Sequence, residues 1–144
     1  MNRNAIRAIA LSMVLVLVGC DAYKASSKAG QVVATTVTNG FQTILIMQKD
    51  GEISTQEALN LAGYLEFANL QDEAFLSCSK IAHTNGNVSG SYTACATTFL
   101  SNMSQPSELA LIHVSNPKSQ ANVQTIVSAI SSAISIYQNS IGGQ

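Results

Sequence analysis

Gln31-Val32-Val33-Ala34-Thr35-Thr36-Val37-Thr38-Asn39-Gly40-Phe41-Gln42-Thr43-Ile44-Leu45-Ile46-Met47 is the stretch that decides the fold, because it can be read two ways. β-Branched residues dominate both halves, and Asn39-Gly40 between them is the dipeptide of a tight hairpin turn. The same residues also suit a helix, since Val33, Val37, Phe41, Ile44 and Gln48 step by three and four along one face. Two arguments favour the helix. A two-stranded hairpin is marginal on its own, and no later stretch reads as a strand that could extend it into a sheet. We therefore read Lys28 to Lys49 as helical, with a kink admitted at Gly40.

Downstream, every segment has a helical signature. Lys49-Asp50-Gly51-Glu52-Ile53 breaks the pattern, and Ser54 with Glu57 restarts it as a capping box. Asp50-Gly51 through Glu57 also resembles the second half of an EF-hand calcium loop. Aligned on Gly51, however, that loop would put Ile46 and Gln48 where carboxylate-type ligands belong, so a turn and cap is the better reading and no metal is expected. From Ser54 to about His83 one side carries Leu59, Ala62, Leu65, Ala68, Phe75 and Leu76, widened by Leu61, Leu70, Ala74 and Ile81. Such breadth predicts neighbours on two sides. Glu66, Asp72 and Glu73 on this helix lack the Glu-x-x-His partners of a dimetal bundle and read as a solvated acidic face. Thr84 to Gly90 is a loop. A helix from Ser91 to about Asn102 follows, with Tyr92, Cys95 or Ala96, Phe99 and Met103 on one stripe. A short helix is expected over Glu108 to Val114 behind Pro106. The last runs from Pro117 to Ile141, with Val123, Ile126, Val127, Ile130, Ile134, Tyr137 and Ile141 facing inward. The expected fold is all-α: an up-down bundle of four longer helices plus one short helix.

The chain begins with a different kind of signal. Arg3 and Arg7 precede the apolar run Ala8 to Val18, which is shorter than the roughly 20 residues of a membrane-spanning helix. A positive start, a short apolar centre and small residues before a cut site describe an export leader. Leu17-Val18-Gly19-Cys20, directly after that run, resembles the lipobox of bacterial lipoproteins. The resemblance covers these four residues and does not extend to the mature domain. It implies that 1–19 are removed, that Cys20 carries diacylglycerol, and that the new amine is acylated. Two or more acyl chains hold a protein durably at a membrane. In enteric bacteria an aspartate at the position of Asp21 leans toward the inner membrane. Residues 20–27 then read as a lipidated end and tether, and 28–144 as the helical domain in the periplasm or cell envelope.

With Cys20 assigned to lipid, Cys78 and Cys95 remain, an even pair in an oxidising compartment. Their midpoint falls at Gly86-Asn87, so two antiparallel helices joined there bring both to one height, and a disulfide is expected. Charged residues make up 10% of the chain, against a usual share of about 25%. Without Arg3 and Arg7, five lysines face eight acids, a balance of -3. A mildly acidic domain without arginine argues against nucleic acid and equally against an anionic-lipid patch. The histidines, His83 and His113, have no cysteine thiolate to serve and are too few for zinc. No enzymatic constellation, metal or cofactor beyond the lipid is therefore expected. The favoured function is a non-enzymatic binding or structural module acting through an envelope protein partner. A carrier or sensor of a small apolar ligand is the alternative, with a pocket expected among Phe41, Leu65, Phe99 and Ile130. An envelope-modifying lipoprotein of a phage or mobile element is a further one.

Overall fold

Residues 31–47 are helical from end to end, within a helix α1 spanning Ala22–Lys49. The computed structural model describes residues 21–86 and 89–142. The leader 1–19, Cys20 and the loop residues Asn87 and Val88 lie outside the described residues. The hydrogen bonds of α1 show how its β-branched residues are accommodated. Thr35, Thr36, Thr38 and Thr43 each donate a hydroxyl to the carbonyl four residues back, at 2.7 to 2.9 Å, a bond that a helical threonine rotamer allows. Val33, Val37, Ile44 and Met47 face inward. Gly40 packs instead of bending the chain: a Cβ there would stand 2.8 Å from Leu65 Cδ1. The expected kink point is a close approach in an unbroken helix.

Asp50-Gly51 stops α1 with a pair of backbone bonds. Gly51, at φ 71°, donates to the Gln48 carbonyl at 3.1 Å, and Glu52 donates to that of Met47 at 2.8 Å, a Schellman motif whose left-handed residue glycine fits without strain. Ser54 then caps α2 (Thr55–Thr84) through the expected capping box. α3 (Ser89–Met103), the short α4 (Pro106–Leu111) and α5 (Pro117–Gly142) complete the order. Around the bundle α1 packs on α2, α2 on α3, α3 on α5 and α5 back on α1, while α4 leans on α2. At 15 residues, α3 rises only about 22 Å, roughly half the height of α2. Segment 104–116, with α4 inside it, fills the rest of that column and sends Ile112 and Val114 into the core. α4 thus begins two residues earlier than expected and ends three earlier.

Two expectations need correcting. Residues 22–27 are not a tether: Asp21 caps α1, accepting the Tyr23 N–H at 2.9 Å, and Ala25 and Ser26 are buried. The expected apolar side of α2 is correct at Leu61, Leu65, Ala68 and Phe75, which are buried, and wrong at its edges. Its buried line runs through Leu61, Tyr64, Leu65, Ala68, Asp72, Phe75, Ser79 and Ala82, whereas Leu59, Leu70 and Ile81 are exposed. Asp72 and Ser79 occupy core positions, so a reading that follows hydropathy alone rotates the face away from them.

Candidate functional site

The polar groups that chemistry would need run along the half of the bundle where α1 begins and α2 ends, from Ser26 and Ser79 to Asp72 near the middle of α2. Ser26 and Gly30, one turn apart on α1, lie against Ser79 and Asp72, two turns apart on α2. Tyr137 of α5 reaches in from the opposite side and Tyr92 of α3 from the flank. All of these side chains are buried. Ser26 donates to the Tyr23 carbonyl at 2.7 Å. The Ser79 and Tyr137 hydroxyls lie close together, yet neither makes a hydrogen bond of ordinary geometry. Burial pushes the Tyr137 phenol well above its usual range, and the neighbouring serine hydroxyls only partly offset this.

Asp72 is the sharpest feature of this seam. Its Oδ1 has no hydrogen-bond partner and lies against Gly30, where a Cβ would stand 2.7 Å from Leu76 Cδ2 and 3.0 Å from that oxygen. Burial, with a smaller contribution from Glu73, pushes Asp72 up to about 7. The expected solvated acidic face therefore holds for Glu66 and Glu73, which are exposed, and fails for Asp72. The sequence signal that could have found it is the seven-residue step from Asp72 to Ser79, two polar residues on one helical stripe.

Cys78 and Cys95 are joined in a disulfide with Cα atoms 5.8 Å apart, tying α2 to α3 beside the seam. His83 is not part of the seam. It is exposed at the end of α2, with its ring stacked on Tyr23 at 4.4 Å. His113 is exposed in the connector before α5. Ser26 and Ser79 are fully buried, and the exposed His83 ring one turn beyond Ser79 is stacked on Tyr23. Among the described residues no three of His, Cys, Asp and Glu are grouped to hold a metal.

At the far end the carboxylates are engaged by the fold. Glu57 accepts from the Ser54 N–H at 2.7 Å and from the Ser115 N–H at 2.6 Å, and these backbone donors hold it down at about 2. Glu52 accepts from Lys118 and from the buried Ser119. The residues that resembled a calcium loop thus bind the α1–α2 turn to the start of α5. Nearby, Ile44, Leu61, Tyr64, Leu65 and Ile112 line a dent of about 10 Å³, room for one water.

Fold and site together define an all-α, disulfide-stapled four-helix bundle with a buried polar seam. No protein-family model, curated protein or solved structure matches the chain.

Proposed function

We propose that this chain is exported, cut before Cys20 and lipidated there, and that its helical domain works in the cell envelope by contact with another protein. The anchor rests on the leader: two arginines, a short apolar run and Leu17-Val18-Gly19-Cys20 directly after it. Among the described residues no helix is long and apolar enough to cross a membrane, which is compatible with attachment through lipid.

The observation that carries the contact reading is a line of apolar side chains along the solvent side of α2. Leu59, Leu70 and Ile81 are 62%, 59% and 58% exposed. They are spaced by eleven residues, close to three helical turns, so they form a straight file. Gly63, Ala74 and Ser77 lie between them on the same side, together with the exposed carboxylate of Glu66. Leu59, Leu70 and Ile81 stand about 16.5 Å apart, so they would serve a partner as separate anchors on one line and do not form a continuous apolar patch. A ligand-carrier reading has less support: Leu65, Phe99 and Ile130 are packed into the core.

Two experiments test the reading. Cys20→Ala should leave the precursor uncut or release the protein from membranes; unchanged processing and partitioning would remove the anchor. A photo-crosslinking residue at position 70, compared with one at the exposed Thr35, should give a discrete adduct in intact cells only from position 70. Equal or absent adducts would remove the contact surface.

A further inference from the structure

If Cys20 carries the lipid, as proposed above, the structure leaves no spacer between the bilayer and the bundle. Asp21 already caps α1, and the helix proper begins at Ala22. The end of the bundle that holds the start of α1 and the end of α2 is therefore held within a residue of the headgroups. Charge is divided between the two ends of the domain. Lys24, Lys28 and Lys80 lie at this end against Asp21. Asp50, Glu52, Glu57 and Glu108 lie at the other against Lys49 and Lys118, and Glu66, Asp72 and Glu73 stand between the two along α2. The net balance of -3 comes from these last three, so it does not describe the tip where α1 begins, which carries three lysines against Asp21. Lys24 stands in the first turn of α1, and Lys80 one turn from the end of α2. Both are exposed, and both fall within about 8 Å of the end, the range over which a charged membrane surface acts at physiological salt. The Tyr23–His83 stack lies at the same edge, where rings with one apolar and one polar side suit a membrane interface.

We propose that this end is a membrane-facing surface, seated on anionic phospholipid headgroups through Lys24 and Lys80, so that the bundle stands upright on the bilayer. α1 then carries the tip formed by the 50–54 turn and Lys118 about 42 Å from the surface. The file Leu59, Leu70, Ile81 runs along the membrane normal, open to partners alongside.

The native lysines report on this directly. The lipidated protein, reconstituted in vesicles of mixed phosphatidylglycerol and phosphatidylcholine, is treated with an amine-acetylating reagent and each lysine is read by mass spectrometry. The soluble Cys20→Ser protein serves as reference. Lys24 and Lys80 should react several-fold more slowly on vesicles, while Lys49 and Lys118 are unchanged. The protection should weaken on pure phosphatidylcholine, and in the single variants Lys24→Glu and Lys80→Glu, both at exposed positions, the lysine that remains should lose part of its protection. Protein that floats with the vesicles but shows no difference between the two ends overturns the seating and leaves the anchor standing. Equal protection on both lipid compositions overturns the anionic preference. A wild-type chain that does not float, and carries no lipid, overturns the anchor and the seating with it.

Discussion

The two ends of the bundle solve the same problem, holding polar groups in a helical protein, in opposite ways. In the half where α1 begins, Ser26, Asp72, Ser79 and Tyr137 are buried, several of their atoms lack partners, and a disulfide holds α2 to α3. At the far end Glu52 and Glu57 are near the surface and fully engaged with Ser54, Ser115, Lys118 and Ser119. Buried unpartnered polar atoms cost stability, whereas surface hydrogen bonds to backbone donors contribute modestly. The first end therefore collects most of the unpartnered buried atoms and is covalently secured, while the second engages its carboxylates and leaves one buried hydroxyl, that of Tyr64, without a partner. Breaking each in turn shows which of them the fold depends on.

The largest effect is expected from the covalent tie. Cys78 and Cys95 close a loop of 17 residues, and opening it should cost about 3 kcal/mol by freeing the unfolded chain. The Cys78→Ser/Cys95→Ser domain, followed by urea denaturation, should show this loss, and reduction of the wild-type protein should reproduce it. An unchanged midpoint would mean that the seam end holds without its staple.

Next comes Asp72. Its carboxyl titrates near 3.8 in the unfolded chain and is pushed up to about 7 in the folded one, so it favours the folded state when protonated. Stability from this group is full below about 4, falls as the pH climbs toward 7, and is lost above that. Asp72→Asn should flatten the fall and stabilise the domain at pH 8 by about 1–3 kcal/mol, the scale of an unsatisfied buried polar group. Thermal melts from pH 4 to pH 8 on both proteins test it. A wild-type domain that is most stable at pH 8 would show that Asp72 has found a partner.

Much of this architecture was legible in the sequence, and the exceptions share one cause. The capping box at Ser54 and Glu57, the inward line of α5 and the Cys78–Cys95 pairing follow from local rules that tertiary packing did not override. Gln31 to Met47 was readable as helix only by asking what a hairpin would pair with, because its threonines look strand-like until their hydroxyls are bonded within the helix. The edges of the α2 face were misread because Asp72 and Ser79 sit in the core while Leu59, Leu70 and Ile81 do not. Periodicity assigns burial by residue type, and here residue type and burial disagree. The supposed tether failed for a related reason: Ala25 and Ser26 look like linker residues, and are small because α1 packs closely there. The polar seam could not be read at all, since it is assembled from α1, α2, α3 and α5.

At the far end the pH dependence should have the opposite sign. Glu57, held at about 2 against an ordinary 4.5, supports the folded state above about 4.5, and that support is lost as the pH falls through 2. Glu57→Ala should therefore destabilise the domain at pH 7, by less than loss of the disulfide, and the gap between variant and wild type should close in acid. A gap that persists at pH 2 would assign the effect to packing and not to the carboxylate.

The smallest effect is expected where the surface ion pair invites the most attention. Lys118 extends from the start of α5 to Glu52 with its side chain 74% exposed, and exposed pairs of this kind contribute little because solvent and salt screen them. Lys118→Ala should leave the melting midpoint within experimental error, and added salt should do the same to the wild type. Glu52→Ala removes the same pair and should still destabilise measurably, because Glu52 Oε2 also accepts from the hydroxyl of Ser119 at 3.3 Å, and Ser119 is fully buried. Losing that acceptor strands a polar group in the core, the condition that the other end of the bundle already carries at Ser79 and Tyr137. If the two substitutions cost the same, the far end is held by charge and the contrast between the ends is wrong. If only Glu52→Ala costs, both ends obey one rule: a buried hydroxyl matters more to this fold than an exposed charge.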